Sequence, residues 1–272
     1  MLPNTNISVV IITLNEAGNI ADCLRSARML TEDIIVVDSG STDGTARLAA
    51  LCGAHVLQHE WKGYGHARNL GAAAARNPWI LALDADERLS TDLVRELNQV
   101  RLQQGIVYRF PRRNHWEERP IRFGTLGFER IARLYHRGDA HWNDFAVHER
   151  LTGIFTMLHL QGCIVHYGIQ DPARYAEKKA HYAWLCALTY ARQGKAAGLL
   201  QRIGAPIFNA FKSFVLLGGF LDGARGWQTA AAIFSYTLRK YRLLHQHRAT
   251  LLAPVPAEQS VSSAYTLARF DP

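Results

Sequence analysis

The sequence predicts an α/β domain built on a mostly parallel central sheet with flanking helices, followed by a C-terminal helical region. Three observations point there. Strand-like and helix-like runs alternate through the first hundred or so residues. The strand-like runs are continuous and β-branched, as in strands buried on both faces. From Pro172 onward apolar residues recur at helical spacing instead.

The elements run in order along the chain. Residues 7–13 (ISVVIIT) read as a first strand, 19–30 as an amphipathic helix, 34–38 (IIVVD) as a second strand and 44–51 as a second helix. Residues 54–58 give a third strand, 66–75 an alanine-rich helix, 79–83 (WILAL) a fourth strand and 92–103 another amphipathic helix. After Gly105 the texture changes to strand segments rich in Arg, His and aromatics (IVYRFPRR, ERIARLYHR, CIVHYG). Residues 175–192, 206–221 and 226–244 read as helices, and the chain after about Ala253 as a tail.

With 272 residues, 48% of them hydrophobic, the chain can bury a large core, which excludes a disordered or fibrous protein. Its 31 Lys+Arg outnumber 23 Asp+Glu, so a phosphate-bearing partner is expected: nucleotide, nucleic acid or anionic lipid. The four cysteines form no CxxC pair and no signal peptide precedes the first apolar run, which reads as a cytoplasmic chain without a disulfide framework. No stretch reaches the roughly 20 apolar residues that span a bilayer. Between residues 191 and 248, however, nine Lys/Arg stand against the single Asp222, beside apolar helices. Such a region is either a helical subdomain packed on the α/β core or a surface that lies on an anionic membrane, and the second reading is preferred.

Open parallel sheets bind ligands outside the carboxyl ends of their strands, so the residues just past each strand are the test. After the first comes Thr13-Leu14-Asn15-Glu16, after the second DSGSTDGT (38–45), and after the fourth Asp84-Ala85-Asp86-Glu87. All three polar clusters fall on one predicted edge. Asp38 is placed to accept hydrogen bonds from a ribose or base, although a helix-capping turn explains the DSGSTDGT loop equally well. Asp84-x-Asp86 offers hard oxygen ligands for Mg²⁺ or Mn²⁺, which beside a diphosphate would neutralise charge building on a leaving nucleotide. In GYGHARN (63–69) no strand leads into the loop and Arg68 stands where a dinucleotide fingerprint needs its third glycine, which argues against a dehydrogenase. Arg68 at a helix start suits a phosphate or base instead, with a solvated helix face as the plain reading. No GxxxxGK[ST] exists, and His148-Glu149 is no zinc HExxH because Thr152 fills the second histidine's place.

Over about residues 7–150 the chain resembles the family 2 glycosyltransferases of the GT-A fold: VVIITLNEAGNI, IIVVDSGSTDGT, GYGHARNLG and LALDADE stand in that family's order and spacing. Val147-His148-Glu149 and the later GFLDGARG resemble, more narrowly, a bacterial subgroup related to lipopolysaccharide core glucosyltransferases. The resemblance implies a GT-A domain over 1–170, with a nucleotide-binding half (1–104) and an acceptor-side half (105–170). Beyond it would lie a basic, helical, membrane-surface region over 171–250 and a tail over 251–272. The resemblance further implies that Thr13, Asn15 and Glu16 line the base pocket with Asp38, that Ser41 and Asp43 shape the loop beside it, and that Arg68 and Asn69 close over the nucleotide. Asp84 would sit near the ribose or diphosphate, and Asp86 would bind Mg²⁺ or Mn²⁺.

Members of this family invert the anomeric centre in a single displacement, with a carboxylate as base on the acceptor hydroxyl. Many take it from a late acidic pair, which is missing here. Glu149 is then the nearest candidate base, Asp144 competes, and His148 is a candidate metal ligand or phosphate contact. Trp142 and Phe145 nearby are either core or a sugar-stacking platform. The QxxRW motif of processive synthases is absent, which favours single addition. Arg109, Arg112, Arg113, His115, Arg119 and Arg122 would meet an acidic acceptor. The implied activity is metal-dependent transfer of a hexose, best glucose, from a UDP-sugar to a lipid-linked saccharide such as the lipopolysaccharide inner core. The expected location is the cytoplasmic face of the inner membrane, and no nucleic-acid partner is expected. The alternatives are a transferase for another polysaccharide or lipid-carrier acceptor, a sugar-phosphate nucleotidyltransferase, and a non-catalytic basic module for nucleic acid or lipid. The nucleotidyltransferase lacks its basic glycine-rich loop, and the basic module sits poorly with strand-end carboxylates that repel phosphate.

Overall fold

The computed structural model describes residues 6–143 and 149–246, the side chains of residues 173 and 174 excepted. The chain divides into two compact units, one within residues 1–120 and 128–168, the other within 121–127 and 169–272. In chain order the strands are β1 (Ile7–Thr13), β2 (Ile34–Asp38), β3 (His55–Gln58), β4 (Trp79–Asp84), β5 (Glu87–Leu89), β6 (Ile106–Trp116), β7 (Arg119–Pro120), β8 (Arg130–His136), β9 (Ala140–Trp142), β10 (Leu151–Gly153), β11 (Thr156–His159) and β12 (Ile164–Ile169). The helices are α1 (Ile20–Arg28), α2 (Thr45–Leu51), α3 (Tyr64–Ala74), α4 (Thr91–Gln99), α5 (Gly124–Gly127), α6 (Pro172–Arg192), α7 (Ala205–Phe211) and α8 (Ala224–Gln246).

The first unit is a mixed sheet in the order β3-β2-β1-β4-β8-β6-β12-β5. Its first four strands are parallel, and β8 turns the order antiparallel against both β4 and β6. Every residue of β1 is buried, which is why its apolar run is unbroken rather than alternating. Its side chains divide by parity: Ile7, Val9 and Ile11 pack with Ile20 and Leu24 of α1, and Val10 and Ile12 with Ala67 and Ala72 of α3. Helix α3 can approach that closely because Gly71 lacks a Cβ, which would lie 2.3 Å from Val10 Cγ1.

Several short elements carry no period that sequence can show. Three-residue β5 comes almost at once after Asp84 and pairs antiparallel with β12, with His166 opposite Glu87. The strands β7, β9, β10 and β11 are two to four residues long. The helix expected over 206–221 is instead α7 flanked by π-helical turns at Leu200–Gly204 and Lys212–Leu216, then a 3₁₀ turn at Gly219–Asp222. Gly218, at φ +69, stops the helical run in a conformation open to glycine.

In the second unit Ala187, Ala191, Ala197 and Leu244 form a small buried core. No described helix is long and apolar enough to cross a membrane. The GFLDGARG stretch acts here as a clasp. Asp222 accepts hydrogen bonds from the backbone amides of Phe123 (2.8 Å) and Arg122 (3.0 Å). Gly226 passes so close to the Gly219 carbonyl that a Cβ there would stand 1.7 Å from the oxygen. Relief requires a backbone shift, so Gly226→Ala should destabilise the second unit by about 1–3 kcal/mol. Urea unfolding monitored by far-UV circular dichroism checks this, and an unchanged midpoint would contradict the close approach.

Candidate functional site

Parallel pairing fixes the edge. Thr13 stands opposite Asp38, and Ile12 opposite Asp84, so β1, β2 and β4 release their loops side by side. The first two loops are laced together. Ser41 Oγ accepts from the Asn15 amide (2.8 Å), Asn15 Oδ1 accepts from the Thr42 amide (2.8 Å), and Thr45 Oγ1 accepts from the Glu16 amide (2.9 Å). Asn15 holds φ +55, a left-handed turn that asparagine tolerates. Asp43 caps the same junction, accepting from the amides of Ala17 (3.0 Å) and Thr45 (3.1 Å). Burial pushes its carboxyl up, but the bonds from Thr45 and Ala17 prevail and hold it below the usual carboxylate range.

Two polar atoms on this edge are left over. Asp38 is fully buried, and its Oδ1 takes the amides of Gly40 (3.1 Å) and Ser41 (2.9 Å). Its Oδ2 and the neighbouring Thr13 Oγ1 are buried with no hydrogen-bond partner among the described residues. Buried acceptors without partners are uncommon in folded proteins, and here two adjacent ones mark where a ligand with N–H or O–H donors fits.

Beside them lies a buried ionic network. Asp84 Oδ1 pairs with Arg68 (2.7 Å) and Oδ2 with Arg133 (2.9 Å), and its amide donates to Glu87 Oε2 (3.0 Å). Glu87, fully buried, pairs through Oε1 with Arg112 (3.2 Å) and Arg133 (3.4 Å), and Arg112 continues to Glu129 (2.8 Å). Burial alone would raise the Asp84 carboxyl, but Arg133 and Arg68 drive it well below the usual range. The same contacts hold Arg133 charged despite its burial. Arg68 is 1% exposed, lies 4.8 Å over the Trp142 ring and shares its Nη2 with Glu149 Oε1 at 3.3 Å. Its Nε and Nη1 are buried without partners among the described residues. The alternative reading of Arg68 as a solvated helix-face arginine therefore does not hold, since it is one of the most buried side chains among the described residues.

Asp86, two residues past the paired Asp84, turns its Oδ2 to His166 Nε2 at 3.5 Å. Glu129 accepts from Asn114 Nδ2 (3.1 Å), so Asn114 Oδ1 faces His166 Nδ1 (2.6 Å) and must accept its proton. An imidazole nitrogen and a carboxylate oxygen thus face each other across the gap. That donor set fits a divalent cation, with the Asn114 bond orienting the ring as outer-shell partners of metal-bound histidines do. Among the described residues no group of three His, Cys, Asp or Glu side chains is placed to hold a metal ion.

Sequence reasoning did not single out Arg133 or His166, and named Glu87 only as a member of the polar cluster after the fourth strand. The strand CIVHYG showed a histidine but nothing in its spacing tied it to Asp86. Asn69 spends both ends of its amide on the Trp142 backbone (2.8 and 2.9 Å), clamping α3 to β9. Arg112, expected to face an acceptor, is committed to Glu87 and Glu129. Glu16 accepts from the Asn19 side chain at 2.7 Å. His148, Asp144 and Phe145 lie outside the described residues.

Comparison with known proteins agrees with this architecture. The family model for Glycosyl transferase family 2 matches residues 8–157. A Rickettsia felis protein named "Uncharacterized glycosyltransferase" is 30% identical over 238 residues, covering 81% of this chain and 83% of that one. The lipopolysaccharide core biosynthesis glycosyltransferase LpsC of Rhizobium meliloti is 38% identical over 102 residues, covering 36% of this chain and 37% of its own. Among solved structures, the mannosyltransferase PcManGT of Pyrobaculum calidifontis, in complex with GDP-Man and Mn²⁺, superposes with TM-score 0.54 over 88% of this chain and 86% of its own, at 13% identity. That likeness speaks to the fold, which is of the GT-A type.

The network sets a pH dependence. Asp84 binds a proton more weakly folded than unfolded, so its contribution is present above the unfolded value near 4 and is lost as pH falls through the lower folded value. Urea midpoints measured from pH 7 to pH 2 should fall on acidification, and less steeply in Asp84→Asn; parallel curves would contradict the pairing. Arg133→Met, which removes one of the two cations paired with Asp84 and with the buried Glu87, should cost about 3 kcal/mol at neutral pH in the same measurement.

Proposed function

The chain belongs to glycosyl transferase family 2, and from that premise we propose that it is a metal-dependent, inverting hexosyltransferase. It uses a nucleotide-sugar donor. The donor we propose is a UDP-hexose, glucose first, and the acceptor a lipid-linked saccharide of the lipopolysaccharide inner core type, met at the cytoplasmic face of the inner membrane. The observation that carries the reading is the strand-end edge where Asp38 Oδ2 and Thr13 Oγ1, buried without a partner among the described residues, stand at the ends of β1, β2 and β4 with Asp84, and where Asp86, two residues on, faces His166. The match to LpsC over a third of its length supports the acceptor class.

In this reading the nucleoside is gripped at Asp38 and Thr13, within the loops braced by Asn15, Glu16, Ser41 and Asp43. Asp86 and His166 would hold the divalent cation, Mg²⁺ or Mn²⁺, with His148 a further candidate ligand. When bound, the cation neutralises the charge that gathers on the departing diphosphate. Asp84, locked between two arginines, fixes the height of the loop that carries Asp86. Arg68 holds Glu149 at 3.3 Å, and Glu149 takes the proton of the acceptor hydroxyl. The hydroxyl oxygen attacks the anomeric carbon from the face opposite the diphosphate. The old glycosidic C–O bond breaks, and its electron pair leaves with the nucleoside diphosphate, inverting the centre.

Glu149→Gln should lower kcat by about 10²–10⁴-fold while leaving the donor Kd nearly unchanged, since removing a general base touches the proton transfer and not donor binding. Undiminished turnover would move the base elsewhere, with Asp144 next to test. The whole reading is tested by incubating the protein and Mn²⁺ with UDP-glucose, UDP-galactose or GDP-mannose and a lipopolysaccharide-core acceptor. Transfer from a UDP-hexose is expected, and the absence of any sugar-nucleotide consumption contradicts it.

A further inference from the structure

We propose that the second unit docks on an anionic lipid bilayer through an apolar stripe along residues 200–216, with lipid phosphate received in a recess lined by Arg202, Arg242 and His245. The surface is separate from the donor chemistry, so its failure and the failure of the transferase reading are distinguishable.

The stripe is unusual for a soluble surface. Leu200, Ile203, Ile207, Phe211 and Val215 recur at intervals of three and four along the π–α–π run, which aligns them on one helical face. All are exposed, Leu200 by 77% and Ile207 by 57%. Trp227, at the start of α8, is 64% exposed and is the residue type that favours the water–hydrocarbon boundary. A contiguous apolar face of this kind marks an interaction surface.

Charge selects the occupant. Among the described residues from 199 to 246, Arg202, Lys212, Arg225, Arg239, Lys240 and Arg242 face a single acid, Asp222. That carboxylate is engaged by the amides of Arg122 and Phe123. A second copy would bring the same cations against each other, whereas anionic headgroups complement them. Arg202 sits within the first π-helical turn, between Leu200 and Ile203, and its Nε is buried without a partner among the described residues. It lines a recess of about 250 Å³ together with Ile203, Leu238, Arg242, His245 and Gln246. Two guanidiniums beside two aliphatic side chains match a phosphate group joined to the start of an acyl chain. With no described helix able to span, the stripe enters the headgroup boundary and lies there.

The test is cosedimentation of the full chain with vesicles of phosphatidylcholine alone or mixed equally with phosphatidylglycerol. Binding to the mixed vesicles, weakened by salt, is expected. Arg202→Gln with Arg242→Gln should weaken it about fivefold per cation removed. Ile207→Glu with Phe211→Glu should abolish it, with donor binding retained as a sign of an intact first unit. Should that pair unfold the second unit, wild-type Trp227 supplies the second readout: its emission should shift to the blue on mixed vesicles, and Trp227→Phe should remove the shift. Equal binding to both vesicle types, no binding to either, or a dimer in solution that Ile207→Glu separates would overturn the proposal.

Discussion

Two buried guanidiniums, Arg68 and Arg133, hold the strand-end carboxylates together, and the rest of the site depends on that neutralisation. Parallel β1, β2 and β4 deliver Asp38, Asp84 and Asp86 to one edge, where like charges in a low-dielectric setting would repel. Arg68 and Arg133 take one Asp84 oxygen each, and Arg133 with Arg112 compensates the wholly buried Glu87. With Asp84 fixed in this way, the Asp86 carboxylate is turned to His166. A buried ionic network of this kind is a weak source of net stability but a source of definite geometry.

The parallel half of the fold is legible in the sequence because each strand there is buried on both faces and each helix on one. Ile7–Thr13 and Ile34–Asp38 are continuous β-branched runs, and the structure begins and ends them at the expected residues. The polar clusters after them stand out because polar residues interrupt apolar ones. The remainder of the site escapes for a physical reason: its residues are buried by charge pairing and not by hydrophobicity. Arg133 is one arginine among several in ERIARLYHR, and it is 6% exposed against Asp84 and Glu87. His166 gains its meaning only from the antiparallel pairing of β5 with β12, and a three-residue strand has no period to detect.

The second unit shows the converse. Its basic and apolar composition is plain in the sequence, but the path of the chain is not. Glycines at 218, 219, 223 and 226 replace a single helix with a clasp in which Gly226 meets a carbonyl and Asp222 caps two amides. The π-helical turns on either side of α7 carry Arg202 and Lys212 within the apolar run. Helical periodicity at 3.6 residues does not anticipate either feature.

The proposed function makes the strand-end edge a cation-dependent nucleoside diphosphate site. Calorimetric titration of UDP and GDP, with and without Mn²⁺, in the wild type and in Asp86→Ala, tests it most directly. UDP binding that requires Mn²⁺ and is lost in Asp86→Ala is the predicted result. Metal-independent binding, or binding untouched by the substitution, would contradict the role of Asp86, and no binding of either nucleotide would contradict the site itself.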